Sequence, residues 1–145
     1  MAFFGTSASR LRKHADYQRV YASSRKQFSK QMSFFFCVRA ADDKYVIDGP
    51  RVGLTVGKVM GKAVDRNRIK RRLREVIRKN APALRQLPVD VILHPRRAVI
   101  DLDFEALERE VAGVFRTIQR DVQDRAAKQQ QQRSDWAPAV PPAVK

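Results

Sequence analysis

The sequence predicts an α+β fold, a small mixed sheet packed by helices in the order α-β-β-α-β-α. Three observations predict it. Three short runs, at 33–38, 51–56 and 89–94, are rich in strand-forming residues. Three longer segments carry apolar residues at helical spacing. The two kinds interleave within 145 residues, a length that suits one domain with its own core.

Residues 1–8 read as a flexible leader. From Ser9, a candidate N-cap, the residues Leu11, Ala15, Tyr17, Val20 and Tyr21 recur with a helical period. Ser23 and Ser24 end that helix. The basic stretch 23–31 reads as a loop or an irregular edge strand. Ser33-Phe34-Phe35-Phe36-Cys37-Val38 is the first buried strand. Asp42, Asp43, Asp48, Gly49 and Pro50 then form a turn-rich set that suggests a hairpin connection. Arg51 to Val56 alternates as a second strand, and Gly57 and Gly61 bracket a loop.

A helix follows from about Asp65 to Asn80, with Asp65 placed to cap it or to balance its N-terminal dipole. Pro82 and Pro88 mark the next connection. Val89 to His94 is the third strand, and Pro95 ends it. Asp101 or Asp103 opens a long helix, on which Phe104, Leu107, Val111, Val114, Phe115, Ile118 and Val122 form one apolar face for the core. The single folded domain is expected over 9–127. From Lys128 the chain turns Gln-rich and then Pro- and Ala-rich, so 128–145 reads as a disordered tail that contains Trp136.

The formal net charge is +15 and the pI about 10.9, which points to a polyanionic partner. The one cysteine, Cys37, can make neither an internal disulfide nor a zinc site, and its apolar neighbours predict a buried thiol in a reducing, cytoplasmic setting. No segment approaches the roughly eighteen apolar residues that span a bilayer, and the N-terminus lacks the charged-then-apolar order of a secretion signal.

The most informative stretch is 62–79. On a wheel of about 100° per residue, Ile69, Leu73, Val76 and Ile77 fall together and face the core. Asn67, Lys70, Arg71, Arg74 and Arg78 share another face, and Arg68, Arg72 and Lys79 line a third side, with Glu75 the one acid there. Solvated helix faces usually mix signs. Like charges packed this densely repel one another unless a polyanion neutralises them. Arginine adds planar, bidentate contact with phosphate, and a helix N-terminus attracts phosphate as well. Nucleic acid is therefore favoured over a membrane surface, because the apolar face is short and needed for the core. Charge alone admits DNA, but no helix-turn-helix or zinc spacing is present.

The stretch from Arg51 to Arg78 closely resembles the protein subunit of bacterial ribonuclease P. The resemblance is carried by Arg51-Val52-Gly53-Leu54-Thr55-Val56, Lys58, Gly61-Lys62-Ala63-Val64, Arg66-Asn67-Arg68-Ile69-Lys70-Arg71, Arg74 and Arg78. It extends more loosely over about 9–122. It implies a protein that assists a catalytic RNA, with magnesium held mainly by that RNA, in cutting the 5′ leader from precursor tRNA. It implies that Arg66, Asn67, Arg68, Lys70, Arg71 and Arg74 bind the catalytic RNA. It implies that Tyr17, Tyr21 and one face of the Phe34–Phe36 strand, with Phe35 the expected residue, line a cleft for the single-stranded leader. Exposed aromatics stack on unpaired bases with little regard to sequence; buried core tyrosines would satisfy positions 17 and 21 equally well. The resemblance also implies a left-handed strand–helix–strand crossover, against the usual rule.

No catalytic or metal-binding residues are expected on the protein itself. His14 and His94 lie on different elements with no acid at diagnostic spacing, while Asp42 with Asp43, and Asp101 with Asp103, fit turns and caps. The expected partners are ribonuclease P RNA and precursor tRNA, with no membrane and no protein partner. A structural RNA-binding protein of the ribosomal kind shares the composition and the basic helix; the Arg51–Arg78 pattern and the aromatic cleft separate the two.

Overall fold

A computed structural model describes residues 10, 11, 13–39, 49–84 and 87–136. The elements are α1 (His14–Ser23), β1 (Gln27–Phe28), β2 (Met32–Val38), β3 (Arg51–Leu54), α2 (Ala63–Asn80), β4 (Val89–Pro95) and α3 (Phe104–Trp136). Short 3-10 turns precede α2, follow it and precede α3. The leader and Ser9 N-cap expected within 1–9, the turn residues at 41–48 and the tail residues at 137–145 lie outside the described residues.

The four strands form one mixed sheet in the order β1-β2-β4-β3. β2 runs antiparallel to β1 and β4, and β3 runs parallel to β4. β3, α2 and β4 thus make a strand–helix–strand unit between adjacent parallel strands. The expected hairpin between the first and second runs is corrected here, because β4 lies between β2 and β3. Val89, Val91, Ile92 and Leu93 have no solvent exposure, so β4 needs cover on both faces and takes an interior position.

Strand alternation divides the core into two layers. Met32, Phe34 and Phe36 of β2, Val52 of β3, and Val89, Val91 and Leu93 of β4 face one side. There they meet Ile69, Leu73, Val76 and Ile77 of α2 and Leu107, Val111, Val114, Phe115 and Ile118 of α3. Each large side chain buried in this way contributes about 1.5–3 kcal/mol. On the other side, Ile92 and Cys37 pack with Leu11 and Val20, and Tyr17 and Phe35 flank them. The smaller layer holds α1 against the sheet, and the site lies beside it.

Several boundaries differ from the sequence reading. α1 starts at His14, with Lys13 in the cap position and no side-chain cap. Arg10 and Leu11 are instead extended along the β3 edge: Arg10 bridges Val52, and the Leu11 N–H donates to the Val52 carbonyl at 3.3 Å. An open edge offers those backbone groups partners that a further helical turn would not. The irregular edge strand expected within 23–31 is β1. Asp65 sits in the first turn of α2 and balances the dipole, but Lys62 holds the cap position without a side-chain cap. Asp103, not Asp101, opens α3, since its Oδ1 accepts from the Ala106 N–H at 2.7 Å. α3 continues through the Gln-rich run to Trp136. Alanine, lysine, arginine and glutamine are good helix formers, and no apolar side chain described beyond Val122 joins the core. Among the described residues no helix is long and apolar enough to cross a membrane.

Candidate nucleic-acid interface

α2 is fixed by its apolar stripe, so its charged faces have defined directions. Asn67, Arg68, Arg71, Arg74 and Arg78 are exposed, while Arg66 and Lys70 are half-buried. Asn67, Arg71, Arg74 and Arg78 follow one another at i, i+4, i+7 and i+11, which sets them along one solvent-facing stripe. The helix N-terminus is shaped by Gly61. Its φ of 127° lies where glycine alone is comfortable, and its N–H donates to the Lys58 carbonyl at 3.2 Å. Arg66 Nε in turn donates to the Gly61 carbonyl at 3.2 Å, which ties this arginine to the loop.

The charges of α2 divide by role. Arg72 turns away from the stripe: Nη1 donates to the carbonyls of Val99 and Ile100 at 3.1 and 3.0 Å, and Nη2 to that of Leu102. It fastens the turn before α3. Lys79 lies 5.0 Å over the Phe104 ring. Arg78 pairs with Glu75 at 2.5 Å, an exposed contact that lowers the Glu75 carboxyl from its usual range. Asn67, Arg68, Arg71 and Arg74 form the solvent-facing centre of the basic surface.

The second feature is an aromatic cleft between α1 and the sheet. Phe34 and Phe36 are buried in the large core layer, whereas Phe35 faces α1. The Tyr21 ring meets Phe35 edge-on at 4.9 Å, and Phe35 lies 5.3 Å from the His94 ring. The Tyr21 hydroxyl is 2.9 Å from His94 Nε2 and 3.4 Å from Thr55 Oγ1. Tyr21 keeps 38% of its surface exposed. Burial, and secondarily Lys26, lower the His94 pKa and favour the neutral ring.

Tyr17 sits one turn earlier on α1 and is half-buried. A Cβ on Gly53 would stand 2.4 Å from its hydroxyl oxygen and 2.7 Å from Cζ, so the ring lies directly on the glycine backbone of β3. Burial, and then the neighbouring Tyr21, raise its pKa, while a backbone hydrogen bond at Leu54 and the charge of Arg74 act in the opposite sense.

A buried ion network joins α1 to the sheet. Asp90 has no solvent exposure and takes Nε and Nη2 of Arg51 at 2.8 and 2.7 Å, Nη1 of Arg39 at 2.7 Å and Nη2 of Arg19 at 2.5 Å. Asp16 lies 3.6 Å from Arg51 and 3.5 Å from Arg19. Burial would raise the Asp90 pKa, but the hydrogen bonds from Arg51 and Arg39 outweigh it and hold the carboxyl below its usual range. Because Arg19 and Asp16 belong to α1, the network sets the position of that helix over the sheet.

The structure brings Tyr17, Tyr21 and Phe35 together at the cleft, and gathers Asn67, Arg68, Arg71 and Arg74 on α2 with Arg66 and Lys70 at their margin. The sequence did not place His94 or Thr55 at the cleft, and it did not reveal the Asp90 network. Strand parity holds the signal for His94: Asp90, Ile92 and His94 alternate onto the α1 face of β4, and Ser33 pairs with His94 beside Phe35. The network joins residues up to 71 positions apart, a separation at which local spacing says nothing. Among the described residues no group of three or more His, Cys, Asp or Glu could hold a metal ion. Asp90 and Asp16 are engaged by arginines, a donor set that does not fit a protein-borne metal.

A family model described as Ribonuclease P matches residues 6–119. The ribonuclease P protein component of Dictyoglomus thermophilum is 40% identical over 100 residues, covering 68% of this chain and 78% of that protein. That of Bacillus velezensis is 32% identical over 113 residues, covering 74% and 87%. Among solved structures, a mutant RNase P protein of Staphylococcus aureus superposes with a TM-score of 0.66 at 29% identity, covering 77% of this chain and 89% of that one.

Proposed function

This chain belongs to the ribonuclease P protein family and is a protein component of that ribonucleoprotein endonuclease, and from this premise we propose how its two surfaces divide the work. The exposed basic surface of α2, Asn67, Arg68, Arg71 and Arg74 with Arg66 and Lys70 beside it, binds the catalytic RNA. The cleft of Tyr17, Tyr21 and Phe35, extended by His94 and Thr55, holds the single-stranded 5′ leader of precursor tRNA. The setting is the cytoplasm. Magnesium held mainly by the RNA supplies the phosphodiester chemistry; this chain supplies binding and orientation.

The observation that carries the reading is the presence of two different surfaces on one domain. A phosphate-binding stripe alone fits any structural RNA-binding protein. Here the same domain also carries a half-open aromatic cleft, whose Tyr17 packs on Gly53 of β3, the strand that precedes α2. Arginines neutralise a backbone whose shape is fixed by pairing, whereas aromatic faces accept unpaired bases of any sequence. Together they suit a substrate that passes from a folded RNA into a single strand. Orienting that strand raises the effective concentration of the phosphodiester that joins it to the tRNA at the RNA's reactive centre.

The test is affinity of the reconstituted holoenzyme for precursor and mature tRNA. Tyr21→Ala is expected to weaken precursor tRNA by about tenfold, the scale of one lost base stack, and to leave mature tRNA unchanged. Equal weakening of both would overturn the assignment of the cleft to the leader.

A further inference from the structure

The cleft does not end at Phe35. β1 adds one more strand at the sheet edge, and Phe28 there pairs directly with Ser33. Residues directly opposite in an antiparallel pair project from the same face, so Phe28 shares the face of Ser33, Phe35 and His94. It is 66% exposed, the most exposed aromatic side chain described. Lys26 stands 5.6 Å from the centre of its ring, and the same ammonium acts on His94 within the cleft. Lys26 thus lies between the cleft and the edge aromatic. Arg25 and Lys30 are exposed on either side of this short strand.

The mount is firm. The Ser29 N–H donates to the Met32 carbonyl at 2.7 Å, which closes the β1–β2 turn. Glu110 of α3 accepts from the Ser29 hydroxyl and from the Gln31 N–H, the latter at 2.6 Å. A platform fixed in this way loses little freedom when a ligand arrives. A phenylalanine ring left this exposed is unfavourable in water, and the cations around it point to an anionic occupant with flat apolar faces.

We propose that Phe28 and Lys26 form an additional single-stranded-RNA position, with Phe28 stacking on one base and Lys26 contacting its phosphate. This rests on the reading of the cleft as the leader site and extends it by one strand. Along the sheet the aromatics then run from Tyr17 over β3, through Tyr21 and His94 over β4 and Phe35 on β2, to Phe28 on β1. Arg74 marks the end nearest α2. Phe28 lies at the opposite end and meets leader nucleotides farthest from the catalytic-RNA face.

The experiment measures dissociation constants of the holoenzyme for precursor tRNAs whose leaders are shortened one nucleotide at a time from the 5′ end. With the full leader, Phe28→Ala is expected to bind about tenfold more weakly than wild type, and Phe28→Trp at least as tightly. The wild-type and Phe28→Ala curves should converge once the leader no longer reaches β1, and Lys26→Ala should lose affinity over the same nucleotides. Identical curves at every length would overturn the proposal, as would a loss that persists with the shortest leader or a change in oligomeric state in its place. Tyr21→Ala on the same substrates separates the two levels. If it loses leader-dependent affinity while Phe28→Ala does not, only the extension fails; if neither does, the cleft reading fails.

Discussion

Arg51 grips both oxygens of Asp90, donating from Nε to Oδ1 at 2.8 Å and from Nη2 to Oδ2 at 2.7 Å, on a carboxylate with no solvent exposure. This fork-to-fork pair joins the edge strand β3 to its neighbour β4, and Arg39 and Arg19 complete the cage. Removing the carboxylate leaves buried guanidiniums uncompensated. Asp90→Asn is expected to destabilise the fold by about 3–5 kcal/mol in urea unfolding. Arg19→Ala, whose side chain is 39% exposed, should cost under about 1 kcal/mol because solvent screens it. Equal costs would contradict the cage as described.

The same pair predicts an acid limb. The folded pKa of Asp90 lies below its unfolded value of about 3.9, so the unfolded chain binds more protons between the two. Its contribution is therefore complete above the unfolded pKa and is lost as pH falls through the folded one. Unfolding midpoints measured from pH 7 to pH 2 should drop for the wild type below about pH 4. Asp90→Asn should flatten that limb; an unchanged limb would remove Asp90 as its source.

Gly53 and Tyr17 are predicted to be coupled. Gly53→Ala places a methyl group where the tyrosine ring lies. The variant should displace Tyr17 and weaken precursor-tRNA binding. In combination with Tyr17→Ala its stability cost should shrink, giving a coupling of about 0.5–3 kcal/mol in a double-mutant cycle. Additive costs would mean that the contact is not what excludes a side chain from position 53.

Not all arginines of α2 should behave alike. Arg71→Ala is expected to leave the unfolding midpoint unchanged and weaken RNA binding. Arg72→Ala should lower stability by about 1–3 kcal/mol, because three carbonyls before α3 lose their donor. If about five phosphates are neutralised, log affinity should fall with log salt at a slope of roughly −4 on duplex-like RNA. A nearly flat slope would count against the stripe as the main contact.

The element types and the faces of α2 were legible because periodicity reports burial directly. Ile69, Leu73, Val76 and Ile77 lie where the wheel set them, and the interior strand declared itself in Val89–Leu93. Strand order was not legible: turn residues between β2 and β3 suggest adjacency, but long-range burial of β4 decides it. Three consecutive phenylalanines hid their own parity, and only pairing with Leu93, Ile92 and Val91 shows that Phe34 and Phe36 are core and Phe35 is cleft. Arg51 read as part of a strand motif, and its real constraint, Asp90, lies 39 residues away. His94 had no acid at a catalytic spacing, and its partner is a tyrosine hydroxyl from another element.

The most direct test of the account is cleavage of precursor tRNA by a bacterial ribonuclease P RNA at low magnesium, with and without this protein. The account predicts strong stimulation by the wild type, abolished by Arg68→Glu on the exposed face of α2 in a variant that unfolds at the wild-type midpoint. An absence of stimulation, or full stimulation by Arg68→Glu, would contradict it.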